Sequence, residues 1–217
     1  MINNPKIIIR KYHSSDRESI REISYNTAYL GNSASLFFND REIFADILTL
    51  YFTDYEPESC FIAEDKGKVI GYLTGTKNTK NMKKCFIRKI LFPLLFKAIK
   101  RNSLLKKQNK KLINNLIKST IKKEFHFPDF SEQYPATFHT NIIKEYRGQN
   151  IGTKLMERFF SYLESEKITG IHCATISERA SKFYLKHGFN LLFKTKLSYL
   201  KYRTGKVFPY YVLGKKL

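Results

Sequence analysis

The chain has 217 residues, enough for one domain or one domain with an insertion, and its 42% apolar content excludes a disordered chain. Its formal charge of +20 would suit a nucleic acid or an anionic surface, but the charge is local. No Asp or Glu occurs from Lys66 to Lys123, which holds 18 of the 39 Lys and Arg, so the remainder is nearly balanced and nucleic acid is not the expected partner.

Cys60, Cys85 and Cys173 are odd in number and far apart, which argues against a disulfide framework and for a reducing, cytoplasmic setting. Met1 to Asp16 lacks the apolar core of a signal peptide, and no apolar run reaches the length of a membrane span, so no transmembrane segment is expected.

In chain order, Ile7-Ile8-Ile9 predicts a first strand. Ser15-Asp16-Arg17-Glu18 has capping-box spacing and predicts a helix over about 16–29 with Ile20 and Ile23 inward. Asn39-Asp40-Arg41-Glu42 starts a second helix carrying Ile43, Phe44, Ile47, Leu48 and Tyr51, which Pro57 ends. Cys60–Ala63 and Val69–Leu73 read as strands about an Asp65-Lys66-Gly67-Lys68 hairpin turn. A helical insert follows over 84–124, with Leu104, Leu105, Leu112, Ile113, Leu116, Ile117 and Ile121 at helical spacing among Lys. Ala136–Ile143 is the next strand, and a helix from about Gly152 has Leu155, Met156, Phe159, Phe160 and Leu163 on one face. Ile171–Ile176 is a strand, 179–186 a short helix closed by Gly188, and Leu191–Leu197 and Val207–Leu213 are final strands separated by Arg203-Thr204-Gly205-Lys206. The order gives one α/β domain with a mixed sheet, a parallel pair joined by a right-handed crossover, and the basic insert between the third and fourth strands.

Asn141-Ile-Ile-Lys-Glu-Tyr-Arg147-Gly148-Gln149-Asn150-Ile151-Gly152-Thr153 runs from a strand end through a turn into a helix start. Such a junction gathers unpaired N–H groups at the positive end of a helix, which suits a pyrophosphate. A glycine turn before an ordinary helix would show similar residues, and a dinucleotide loop would need a G-x-G-x-x-G spacing that is missing.

The stretch resembles motif A of the GNAT acyltransferase superfamily, Arg/Gln-x-x-Gly-x-Gly/Ala, with Arg147 first, Gly152 last and Asn150 at the middle glycine. Asn is the residue that best tolerates left-handed backbone after Gly. Ala180-Ser-Lys-Phe-Tyr184-Leu-Lys-His-Gly188-Phe189 resembles motif B, with Ser177 where the family usually has Asn. Tyr134-Pro-Ala-Thr-Phe-His139, Gly170-Ile-His172 and Asp54-Tyr-Glu-Pro57 are similar to a subgroup akin to the acetyltransferase-like domain attached to O-GlcNAc hydrolases.

The resemblance implies a GNAT fold and an acetyl-CoA-dependent N-acetyltransferase. Its amine acceptor, a small molecule or a peptide, would attack the thioester directly in a ternary complex. It implies that Arg147, Gly148, Gln149, Asn150, Ile151, Gly152 and Thr153 hold the pyrophosphate, that the strand edge Asn141, Ile142 and Ile143 bonds the pantetheine arm, and that Ser177 adds to the cofactor side. Tyr184 would protonate the departing thiolate, a phenol near pKa 10 needing little tuning for that. His139, on the same strand face as Asn141, is the candidate base, with Asp54 and Glu56 as alternatives. A two-His metal site with His172 lacks a third ligand, so no metal is expected. A non-catalytic module that binds acyl-CoA or a polyanion is the alternative, and a homodimer stays open. The basic insert reads as a lid on the acceptor side, a binder of an acidic macromolecule, or an amphipathic helix on an anionic membrane.

Overall fold

The computed structural model describes residues 7–217; Met1–Lys6, part of the segment read above as lacking a signal peptide, lie outside it. Alternating and continuous apolar runs form the strands Ile8–Lys11 (β1), Cys60–Asp65 (β2) and Lys68–Thr76 (β3), in antiparallel register from Ile8 opposite Glu64 to Cys60 opposite Thr74. Arg17–Thr27 (α1) and Arg41–Tyr55 (α2) lie between β1 and β2. After β3 the insert runs as Thr79–Cys85 (α3), a π-helical turn over Phe86–Ile90, Leu91–Lys100 (α4) and Lys107–Ile121 (α5), so helix begins five residues before the expected 84. Ala136–Ile142 (β4), Ile151–Ser165 (α6), Gly170–Thr175 (β5), Glu178–Lys186 (α7), Asn190–Leu197 (β6), Lys201–Thr204 (α8) and Phe208–Lys216 (β7) complete it. The sheet order is β1-β2-β3-β4-β5-β7-β6, and β4 with β5 is its parallel pair. This is the mixed sheet flanked by helices that the motif order implied.

The helix α6 inserts Leu155, Met156, Phe159 and Leu163, all essentially buried, against Phe61, Leu73 and Phe138 of the sheet. Each such side chain contributes about 1.5–3 kcal/mol by leaving water, so this stack is the stable frame. On the other face Ile20 and Ile23 of α1 pack on Ile62 and Tyr72, as their spacing predicted.

Two local expectations change. The capping box is made by His13 and Asp16, two residues earlier than Ser15 and Glu18, and it caps the 3-10 turn Ser14–Asp16 that leads into α1. Glu18 turns instead to Arg21 and Arg41, charged partners stronger than a lone amide. In α2, Ile47 is exposed, because only Ile43, Phe44 and Tyr51 of its apolar set meet neighbours.

Buried carboxylates anchor the insert. Asp40 caps α2 by accepting from the Ile43 N–H and also receives Arg101 Nε at 3.1 Å and the Ser103 hydroxyl. Asp46 joins Arg21 of α1 to Lys97 of α4. Asn109, fully buried, accepts from the Asn39 N–H and donates to Ser103 O. Burial alone would push the Asp40 carboxyl up, but the Arg101 and Ser103 hydrogen bonds and the Ile43 amide outweigh it and hold the group below the ordinary carboxylate range.

A depressed carboxylate gives its full stabilisation above its unfolded pKa and loses it as pH falls through the folded value. We therefore expect Asp40→Ala to lower unfolding stability by about 2–4 kcal/mol at neutral pH. In urea titrations its difference from the parent should shrink below about pH 4. A constant difference down to acid pH would mean that Asp40 acts by packing alone.

Candidate active site

β4 and β5 pair over only Ala136–Ile171 and Thr137–His172, whereas β3 pairs with β4 from Thr137 to Ile142. Beyond those two pairs the sheet is parted. Ile143 donates its N–H to Ile70 O at 3.0 Å, which fixes the alternation of the β3–β4 ladder. The backbone groups of residues 139, 141 and 143 therefore point to β3 and those of Phe138, Thr140 and Ile142 to the β5 side, where the Phe138 N–H still donates to His172 O and the N–H groups of Thr140 and Ile142 face the gap. Of the three residues read as a pantetheine-bonding edge, Ile142 alone presents its backbone there. The Asn141 side chain donates to the Tyr72 hydroxyl at 2.8 Å.

At the open end of the gap the turn leads into α6. Asn150 adopts left-handed backbone, φ 60°, as expected of the residue replacing a glycine, and Gly148 has φ 83°. The first turn of α6 has no side-chain cap. Among the described residues no acceptor engages the six consecutive N–H groups of residues 148–153; the first bonded amide is that of Lys154, to Asn150 O. A Cβ on Gly152 would meet Ile142 and Phe183 at an ordinary 3.6 Å, so internal packing does not demand glycine there.

Several side chains have partners that the sequence did not disclose. Arg147 turns inward: its Nε donates to Ile142 O at 2.9 Å and a terminal nitrogen to Gly31 O, so it fastens the turn to the loop after α1. Its own N–H goes to Lys144 O. Thr153 Oγ1 lies 3.0 Å from His187 Nε2; His187 Nδ1 lies 2.8 Å from Phe183 O, which can only accept, so Nδ1 carries the proton and Nε2 accepts from Thr153. Ser177 caps α7 through the Ala180 N–H. Beside Gly152, Glu178, Arg179, Lys182, Phe183 and Lys186 of α7 line an open cleft of about 470 Å³ that sequence reasoning passed over, Glu178 pairing with Lys182; the i, i+3, i+4, i+7 spacing of the last four was the signal.

Tyr184 stands on the α7 side of the gap, its ring perpendicular to that of Phe138 with centroids 5.7 Å apart. Burial, helped by Cys173 of β5, pushes its phenol well above the ordinary value, where the sequence expected little change. His139 follows Phe138 and so lies on the opposite face, against Phe52 of α2. Solvent reaches its ring, yet the protein packed around it lowers its pKa by desolvation, so it is a neutral base at pH 7. Opposite it on β3, the Thr74 hydroxyl is buried without a partner among the described residues. His172 is not near-equivalent: its Nδ1 is held by Tyr134 O at 2.6 Å. Glu56, an alternative candidate base, is a buried hub receiving the Tyr51, Ser59 and Thr76 hydroxyls and the Lys77 N–H. Asp54, half exposed, pairs with Arg17.

Residues 131–191 match the family model described as an acetyltransferase (GNAT) domain. No curated protein matches the chain in sequence. Among solved structures, that of SsHAT is 22% identical with TM-score 0.73, covering 98% of each chain. A Drosophila melanogaster polyamine N-acetyltransferase that forms N-acetylagmatine is 13% identical with TM-score 0.61, covering 98% of this chain and 100% of its own. The yncA protein of Salmonella typhimurium, solved with its cofactor acetyl-CoA, is 16% identical with TM-score 0.57, covering 97% and 94%. The narrower likeness to the domain attached to O-GlcNAc hydrolases is not among what these matches establish. The chain has the GNAT fold, and residues 131–191, which hold β4, the amide-bearing turn, α6, β5 and α7, are the part that matches the GNAT acetyltransferase family model.

Proposed function

We propose that the protein is an acetyl-CoA-dependent N-acetyltransferase acting on a primary amine. The observation that carries this is the run of six unengaged N–H groups at 148–153, set at a helix N-terminus where a sheet parts. Bare amides at that position favour the oxygens of a diphosphate. The neighbouring cleft supplies Arg179 and Lys186 for a further phosphate and the Phe183 ring for a base. The gap edge of β4 supplies the N–H groups of Thr140 and Ile142 to an amide-containing arm and to a thioester oxygen on which charge develops. That a fold neighbour was solved with acetyl-CoA supports this ligand, and that another acetylates a polyamine supports an amine acceptor. Acetyl-CoA held there supplies an activated acetyl group.

The parted sheet gives access to both faces of β4. His139, neutral at pH 7, takes the proton of the incoming amine on the α2 side, where the unpartnered Thr74 hydroxyl marks room for a polar guest. Tyr184 acts from the α7 side. Its raised pKa keeps the phenol protonated, so it donates a hydrogen bond to the departing sulfur; full transfer to a thiol of pKa about 8.5 would be uphill, and solvent completes it. Arg147 and His187 hold the turn and Thr153 in place. The basic insert stays on the acceptor side, clear of the phosphate site.

Calorimetry should give acetyl-CoA binding with Kd within about 1 μM–1 mM, the usual span of KM; no heat at the upper limit would end this reading. Gly152→Ala should melt at or slightly above the parent temperature, since Ala suits a helix and its Cβ fits. It should nevertheless bind acetyl-CoA about tenfold more weakly, near 1.4 kcal/mol. Unchanged affinity would show that no phosphate approaches that backbone.

Thiol release over a panel of primary amines separates an enzyme from a non-catalytic acyl-CoA-binding module. Tyr184→Phe should lower kcat about 10²-fold with the acetyl-CoA Kd retained. A depressed His139 is deprotonated above its pKa, so kcat/KM should fall as pH drops below about 6.5, and His139→Gln should lower the rate and abolish that acid limb. A limb that survives the substitution would assign the base elsewhere.

A further inference from the structure

The helix α4 is apolar on both sides, which a helix on the protein surface ordinarily is not. Leu94 and Ala98 are buried against the loop after α1 and against α2. Phe92, Leu95, Phe96 and Ile99, at i, i+3, i+4 and i+7, form one outward stripe, and Ile87 of the preceding π-turn is also exposed. Phe92 is 69% exposed, Phe96 70% and Ile99 61%, so this is a contiguous ridge and not the edge of a core. Lys84, Arg88, Lys89 and Lys100 are exposed on the same segment, with no carboxylate partner among the described residues. The segment from Lys66 to Lys123 contains no acid to neutralise them. The stripe is held rigidly, because Lys97 and Arg101 of the same region are spent on Asp46 and Asp40.

We infer that α4 and the π-turn before it dock onto an anionic lipid bilayer. The apolar ridge enters the acyl boundary while the Lys and Arg beside it meet acidic headgroups, a combination that one interfacial plane satisfies. The charge pattern disfavours a second copy of the chain, which would bring two basic faces together. Phosphate backbones would use the cations but leave Leu95 and Ile99 without a partner. No helix among the described residues is long and apolar enough to cross a membrane, so the attachment is peripheral.

The chain contains no Trp, so Phe96→Trp places one fluorophore on the ridge. With phosphatidylcholine vesicles containing about 30% phosphatidylglycerol, its emission should shift to the blue and be quenched by lipids brominated on the acyl chain. With phosphatidylcholine alone neither should occur. In vesicle flotation, Phe92→Ser/Phe96→Ser should bind the anionic vesicles at least about tenfold less than the parent while melting at the same temperature. Arg88→Gln/Lys89→Gln/Lys100→Gln should lose binding similarly and become insensitive to salt. Absence of parent binding to anionic vesicles, equal flotation of the Ser variant, or no acyl-chain quenching would each overturn the proposal. So would sedimentation showing the stripe covered by self-association or by added polyglutamate in preference to the vesicles. None of these readouts depends on acetyl transfer.

Discussion

Backbone polar groups in a sheet interior are costly when left without partners, so strands rarely separate once paired. Here β4 and β5 do so after two residue pairs, with β3 still holding β4 along its far edge. The separation is enforced by what lies on either side of it: Phe138 of β4 packs on Phe159, Tyr184 and Phe189, and Cys173 of β5 belongs to the same cluster. A large aromatic group at the crotch of the strands cannot be removed without a cavity costing about 3–5 kcal/mol, so the fold keeps the gap and the unpaired groups with it. The turn into α6 adds six further donors at the mouth. Site and fold are thus one feature, a place where the sheet's own hydrogen bonding has been left undone.

The cations fall into two populations, and composition alone merges them. Arg21, Lys97, Arg101 and Arg147 are spent on carboxylates or carbonyls and do structural work. Arg179 and Lys186 on α7 face a cleft, while the cations around α4 face outward beside apolar side chains. The two unspent sets lie on different helices and suit different ligands, one a phosphorylated small molecule and the other a surface. A uniform excess of charge would not create that division; it follows from which faces of the insert the buried Asp40 and Asp46 turn inward.

Most elements were legible because apolar periodicity survives folding: the α6 face, the strands of β2 and β3 and the short α7 closed by Gly188 stand where their spacing put them. The left-handed Asn150 was legible from side-chain chemistry. What was not legible depends on register or on distant partners. The direction of the β4 backbone needs the Ile143–Ile70 bond, which no local pattern encodes. The inward turn of Arg147 needs Gly31, where a Cβ would stand 2.5 Å from the guanidinium. That Glu56 is already saturated could not be read locally, because its donors come from β3 and the turn after α2 as well as from Tyr51. Sequence thus reveals the donors a site can offer, and only packing reveals which of them are already taken.

The insert bears on selectivity as well as attachment. It ties together two loops: Asn109 and Gln108 hold residues 35–39, and Glu124 receives both the N–H and the hydroxyl of Ser198 after β6. Arg203 then reaches Leu36 O directly. Loops fixed at both ends lose little freedom when an acceptor arrives, so less of the binding energy goes into ordering them. In the acetyl-transfer reading the acceptor therefore meets a preformed wall, and discrimination among amines comes from shape and from the polar groups of His139 and Thr74, not from closure of a mobile segment. The same rigidity fixes the angle between the α4 ridge and the gap, so docking at a bilayer would present the acceptor side in one defined orientation to whatever amine lies near that surface.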